Sequence, residues 1–291
     1  MGVGMAGSLR RQGFEVVGTD IDPDRRDLFA GAGGSVAADA RTAAAEADVT
    51  ISVVITGEQT EALLFGSGAV AQAVPAGGIF VSCATMARDQ AKSLGGRAAE
   101  AGIAFLDAPI SGGARGAEAG ALTIMASGPR RAFDAAKPAL DAMGERVFWL
   151  GEEAGLGAAM KTINQLPAGA NLVTACEAIT LAIRLGLDPV QVDEIISGAA
   201  GNSWMWQDRI KPLVAGDHTV RSAIEIFVKD MGIVVDTARG ARFPVPGAPV
   251  RVETPGGCVY VWRHGSAPAP RAPGSRQDAP RSTAESTEDR A

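Results

Sequence analysis

Met1-Gly2-Val3-Gly4-Met5-Ala6 opens a helical run that reaches Gln12, turns at Gly13 and leads into an apolar run ending at Asp20. In a dinucleotide-binding βαβ unit, glycines let the backbone approach a pyrophosphate at a helix N-terminus. An acid closing the second strand then accepts from the adenosine ribose hydroxyls. Asp20 stands 18 residues beyond Gly2, near the spacing of about 20 that the fingerprint requires. The strand that normally precedes such a helix, and the first glycines of G-x-G-x-x-G, are missing. On its own, this stretch also reads as a plain Ala/Gly-rich helix start. Asp20 is followed by Ile21 rather than Arg, which favours NAD over NADP, because a 2′-phosphate would meet a carboxylate.

Moving outward, short apolar runs alternate with amphipathic Ala-rich stretches as far as residue 150, the pattern of a parallel sheet covered by helices. The expected strands cover residues 15–20, 49–55, 78–82, 104–107, 122–127 and 146–150, with helices over 4–12 and 87–101. Beyond Gly155 only helical periodicity remains, over 157–185, 189–197 and 220–239. The expected architecture is α/β: a Rossmann-type parallel sheet lacking its first strand, then an all-α domain. Boundaries fall at residues 1–152, 153–248 and 249–291. Residues 265–291 contain no Leu, Ile, Val, Met or aromatic side chain and four prolines, too little apolar surface to offset the entropy of ordering. That tail is expected to be disordered, and residues 249–263 could form a short hairpin around Pro255-Gly256-Gly257.

Composition removes several chemistries. The 291 residues carry a net charge of -6, one Tyr (Tyr260), two His (His218, His264) and three Cys (Cys83, Cys176, Cys258). The charge gives no field for nucleic acid or an anionic membrane. Scattered cysteines and distant histidines do not form an ordinary structural zinc site, so no metal is expected. No apolar run of membrane-spanning length and no signal peptide is evident, which points to the cytoplasm. A tyrosine–lysine relay has only Tyr260 to draw on, and a histidine acid/base only His218, a loop residue without an evident partner. Proton transfer falls to a carboxylate or to one of five lysines: Lys92, Lys137, Lys161, Lys211 and Lys229.

Three further stretches carry chemistry. Leu106-Asp107-Ala108-Pro109-Ile110-Ser111-Gly112-Gly113 ends an apolar strand with a hydroxyl and two glycines, able to offer Oγ and backbone N–H groups to a carboxylate. An ordinary tight turn has the same composition. In Gly155-Leu156-Gly157-Ala158-Ala159-Met160-Lys161-Thr162-Ile163-Asn164-Gln165, Lys161, Asn164 and Gln165 share one helix face. A lysine beside Met160 and Ile163 is partly desolvated, which favours its neutral form and makes it an acid/base candidate. The bland alternative is a snorkelling lysine. Phe227-Val228-Lys229-Asp230-Met231-Gly232 places two charges inside an apolar helix, for a ligand or as a surface charge pair.

These four motifs, in order and spacing over residues 1–248, resemble the β-hydroxyacid dehydrogenases, the 3-hydroxyisobutyrate dehydrogenase family. The resemblance implies a helical second domain of the 6-phosphogluconate dehydrogenase-like type and association into a homodimer or homotetramer. It implies Lys161 as catalytic residue, and Ser111, Gly112, Gly113, Asn164 and Gln165 as substrate contacts. Gly2, Asp20, Thr85 and Lys229 would bind NAD. Within the family, residues 111–120, Asn164-Gln165 and 200–205 look most like the branch that oxidises L-threonate at C2, with Asn202 and Ser203 suited to substrate hydroxyls. Branches acting on 3-hydroxyisobutyrate, tartronate semialdehyde or hydroxymethylglutarate share the scaffold, and a degenerate, non-catalytic helical-domain protein is the alternative outside the class.

Three departures accompany the resemblance. The chain is N-terminally truncated relative to the family pattern, which would expose sheet edges and part of the cofactor floor. Pro167 falls inside the helix that bears Lys161, removing one hydrogen bond at a cost of about 3 kcal/mol unless the helix kinks. After Ala248 the sequence diverges, with a composition that an out-of-frame reading of Arg- and Ala-rich coding DNA would give.

Overall fold

The computed structural model describes residues 1–67, 69–219 and 222–245. The expected disordered tail, the hairpin, Tyr260, Cys258 and His264 lie outside the described residues.

The first part alternates helix and strand in the order α1 (Gly2–Arg11), β1 (Val17–Gly18), α2 (Pro23–Gly31), β2 (Ser35–Val36), α3 (Ala40–Ala44), β3 (Val49–Ser52), α4 (Gly57–Phe65), β4 (Ile79–Ser82), α5 (Arg88–Glu100) and β5 (Ala104–Asp107). After it come β6 (Ile110–Ser111), α6 (Gly113–Ala119), β7 (Leu122–Ala126), α7 (Arg130–Met143) and β8 (Gly144–Trp149). Several helix starts are fixed by their own sequence. Asp22, Asp39 and Asp188 each cap a helix through a carboxylate, and Thr56 with Gln59 forms a reciprocal capping box.

The strands fall into three hydrogen-bonded groups: parallel β1-β2, parallel β3-β4-β5, and β6-β7-β8, in which β6 is antiparallel and β8 parallel to β7. No ladder joins β1 to β3 among the described residues. Val17 on β1 is 46% exposed, unusual for an apolar residue of a parallel strand normally covered on both faces. β2 and β6, two residues each, carry too little pattern to be read from sequence. The main core lies under β4, β5 and β7, where Val81, Leu106, Leu122 and Ile124 pack against Phe133, Leu140 and Met143 of α7. Phe80 stacks on Phe105 at 6.0 Å on the other face.

The second part is helical: α8 (Leu156–Arg184), α9 (Pro189–Ser197), a π-helical segment Trp206–Ile210, α10 (Lys211–Val214) and α11 (Ile224–Gly240). Pro167 does not interrupt α8, which runs through it as one helix. The proline leaves the carbonyl of Ile163 without its helical donor, and Ile163 is exposed, so water can replace that bond. α8 is long and apolar enough to cross a membrane by length and composition. Its N-terminal half is seated against α5, β5 and β7 and packed on α11. Toward its C-terminus Leu181 and Ile183 remain exposed, as do Leu185 and Leu187 just beyond it.

Candidate active site

Lys161 lies in the second turn of α8 and is 6% exposed. A charged ammonium there has lost most of its hydration, and burial pushes its pKa down to about 8. The carboxylate of Asp230 acts upward and the charge of Lys229 downward. The sequence expectation of a partly desolvated amine thus has a physical basis in the fold.

One helical turn on, Asn164 Nδ2 donates to Gln165 Oε1 at 3.0 Å, and Gln165 Nε2 donates to Asp230 Oδ2 at 2.6 Å. Asp230, on α11, is 2% exposed. Its other oxygen faces Lys229 Nζ at 2.9 Å as an ion pair, without hydrogen-bond alignment. Lys229 Nζ also donates to the carbonyls of Ile55, at 2.8 Å, and Thr85, at 2.7 Å. Those carbonyls follow β3 and β4 at their C-terminal ends, where open α/β sheets bind ligands. Lys229 therefore ties the helical part to the sheet. The surface charge pair weighed from sequence exists, but one of its members is buried.

Lys161, Asn164, Gln165, Lys229 and Thr85 thus gather at one place, with Asp230 as a member that sequence reasoning did not assign. Its signal was present: an acid beside a lysine inside an apolar helix. Ser111, Gly112 and Gly113 make no hydrogen bond to this network among the described residues. Ser111 ends β6, and Gly112 caps α6 with φ +129 while Gly113 follows with φ +65. Such backbone conformations favour glycine. His218 is an exposed loop residue, and Asn202 donates to the carbonyl of Ser197 and accepts from Gln207.

Gly2 opens α1 beside Val53, just past the C-terminal end of β3, and so on the same edge of the sheet as Ile55, while Asp20 follows β1. The amino group of Met1 is held below its ordinary pKa by burial and by Arg25, with Glu118 and Asp20 acting upward. α1 starts with no side-chain cap and no acid in its first turn, leaving its first N–H groups for an anion. A side chain at Gly4 would press on Ala117 and Glu118 of α6, so this helix start is built for close approach. Asp20 is exposed after β1, with one carboxylate oxygen accepting from Asp22 N at 3.0 Å. An uncapped helix end beside an exposed acid fits a dinucleotide: pyrophosphate on the helix, ribose on the acid.

Comparison with known proteins agrees with this arrangement. The family of the NAD binding domain of 6-phosphogluconate dehydrogenase matches residues 1–151, and that of the NAD-binding domain of NADP-dependent 3-hydroxyisobutyrate dehydrogenase matches residues 155–253. The chain is 43% identical over 246 residues to an L-threonate dehydrogenase of Cupriavidus necator, covering 84% of this chain and 83% of that one. It is 38% identical to an L-threonate dehydrogenase of Escherichia coli over 84% of this chain and 82% of that one. The crystal structure of a 3-hydroxyisobutyrate dehydrogenase from Salmonella typhimurium superposes with a TM-score of 0.80 at 37% identity, over 86% of this chain and 87% of that one. With a nicotinamide-nucleotide domain in front of a helical domain that carries a buried lysine, this chain belongs to the β-hydroxyacid dehydrogenases of the 3-hydroxyisobutyrate dehydrogenase family.

Proposed function

We propose that the chain oxidises the 2-hydroxyl of L-threonate, a four-carbon sugar acid, to the 2-oxo acid, using NAD. The observation that carries the reading is the buried amine of Lys161, whose pKa near 8 leaves a useful fraction neutral at physiological pH. Neutral Lys161 takes the hydroxyl proton at Nζ and, in the reverse direction, returns it. Asn164, held by Gln165, positions the reacting centre. Ser111, Gly112 and Gly113 hold the substrate carboxylate. Gly2 and Asp20 receive the dinucleotide, with Thr85 and Lys229 bordering its nicotinamide end. The bound nicotinamide supplies the acceptor for the hydride that leaves C2. Residues 1–152 thus form the cofactor domain and residues 153–248 the substrate domain.

Identity to the two L-threonate dehydrogenases supports the substrate, and the fit to the Salmonella enzyme supports a 3-hydroxyisobutyrate-type substrate as the second reading. Exposed Leu181, Ile183, Leu185 and Ile195 on and beside α8 and α9 support association through the helical domain into a homodimer or homotetramer. The partner set is then a small hydroxy acid and further copies of the chain, in the cytoplasm. NADH formation from a panel of L-threonate, 3-hydroxyisobutyrate and glycerate, the last being the acid that yields tartronate semialdehyde, tests the reading. L-Threonate should give the highest kcat/KM, and no turnover of any acid would contradict it.

A further inference from the structure

α8 begins without a cap of its own. Its N-cap is Gly155, with φ +104 and no side chain to offer, yet its start is buried and its first N–H groups need acceptors. They find them on two other strands. Asp107, at the end of β5, is fully buried, and its Oδ2 accepts from Gly155 N at 3.0 Å, Ala158 N at 2.7 Å and Ser127 Oγ at 3.3 Å. Ser127, just after β7, accepts from Gly157 N at 2.9 Å through the same Oγ. The two residues are fixed to each other by reciprocal backbone bonds of 3.0 and 2.8 Å. Beneath them, the helix lies so close that a Cβ at Gly157 would sit 2.4 Å from the Met125 carbonyl oxygen and 2.7 Å from that of Asp107.

We infer that Asp107, with Ser127, is the seat of α8 and acts as a positioning residue for Lys161. Ala158, the tightest of its donors, lies three residues before Lys161, so the clamped N–H and the lysine share one side of the helix. Clamping Gly155, Gly157 and Ala158 from outside fixes both the rotation of α8 about its axis and its depth against the sheet. Depth matters because the low pKa of Lys161 is a burial effect. A helix released by a small movement would hydrate the amine and return it toward an ordinary lysine. The negative carboxylate at a helix N-terminus is favourable for the dipole. Its second oxygen has no hydrogen-bond partner among the described residues, so an isosteric amide nitrogen there breaks no existing hydrogen bond.

The inference rests on Lys161 as the proton-transfer group. It is tested by competitive acetylation of the full chain across pH, with the Lys161 peptide followed by mass spectrometry. This readout needs neither substrate nor cofactor. The expected midpoint of Lys161 is near 8 in the unaltered chain. Asp107→Asn keeps one oxygen toward the three donors and should leave the midpoint in place. Asp107→Ala should raise it toward 10.5, and Ser127→Ala should raise it less, in the same direction. Asp107→Ala should also lower kcat about tenfold near pH 8, with Asp107→Asn restoring most of it. General loss of stability would lower the amount of active protein without moving the midpoint. A folded Asp107→Ala with an unmoved midpoint overturns the positioning role, and if that variant does not fold, an unmoved midpoint in Ser127→Ala does so. Undiminished turnover in Lys161→Met would instead remove the assignment of Lys161, whatever the Asp107 variants do.

Discussion

Gln165 Nε2 lies 2.6 Å from Asp230 Oδ2, a hydrogen bond between two buried side chains that joins the lysine-bearing helix to α11. Through it, Asn164, Lys161 and the carboxylate of Asp230 form one electrostatic unit, and a buried carboxylate in such a unit is costly to leave unpaired.

Asp230 acts to raise the pKa of Lys161 against the larger effect of burial. Asp230→Asn removes that support, and the amide oxygen can still accept from Gln165. The acid limb of kcat/KM should then move to lower pH, by roughly half a unit to one unit. A pH–rate profile checks this, and a move to higher pH would show that Asp230 does not govern the lysine.

Lys161→Met should abolish most turnover, by about a hundredfold or more, while making the protein more stable at neutral pH. The sign follows from linkage. The folded lysine releases its proton near 8 and the unfolded one near 10.5, so between those values the unfolded chain binds more protons and stability rises with pH. Below that window the folded state carries a cost on the order of 3 kcal/mol. Methionine removes it. Urea unfolding at pH 7 and at pH 10 should show a gain for Lys161→Met at pH 7 that shrinks at pH 10.

Asp107 behaves in the opposite sense. Burial raises its pKa from 3.8 to about 6 despite the bonds from Ala158, Gly155 and Ser127. Between those values the folded state binds more protons, so this group's contribution to stability falls as pH rises from about 4 to 6. Asp107→Asn should therefore gain relative stability across that window, on the order of 2–3 kcal/mol by pH 7. Melting temperatures at pH 4 and pH 7 measure it, and an equal difference at both would contradict it.

Gly157→Ala should be poorly tolerated. Both atoms nearest the new Cβ, at 2.4 and 2.7 Å, are backbone oxygens, so relief requires α8 to move. A loss of about 1–3 kcal/mol together with lower kcat is expected, read by denaturant unfolding and by NADH formation. Gly232→Ala, on α11 with open space around it, serves as the control that should change little.

Much of this architecture was legible in the sequence. β5 and α9 begin and end where periodicity places them, and α8 differs by one residue at each end. The alternation that signals a parallel sheet is legible in the sequence because each βα unit buries its own apolar face. Lys161 stood out as a lone lysine in an apolar run, but the local reason for its desolvation fails, because Met160 and Ile163 are themselves exposed and its burial is tertiary. What could not be read is whatever depends on distance across the fold. Asp107 lies inside a motif whose serine and glycines draw attention, and nothing local says that its carboxylate caps a helix some fifty residues later. Lys229 reads as a ligand-binding cation, but its two carbonyl partners, Ile55 and Thr85, are more than a hundred residues away. Pro167 reads as a kink because the rule for helix interiors is local, whereas the exposure of Ile163 that accommodates it is tertiary.

The central claim is that Lys161 moves the proton in an NAD-linked oxidation of L-threonate, and the pH dependence of kcat/KM for that reaction tests it most directly. The unaltered chain should show a rate that climbs about tenfold per pH unit and levels off near pH 8, with Lys161→Met lacking that limb and nearly all turnover. A profile flat through pH 8, or the same limb retained in Lys161→Met, would contradict the account.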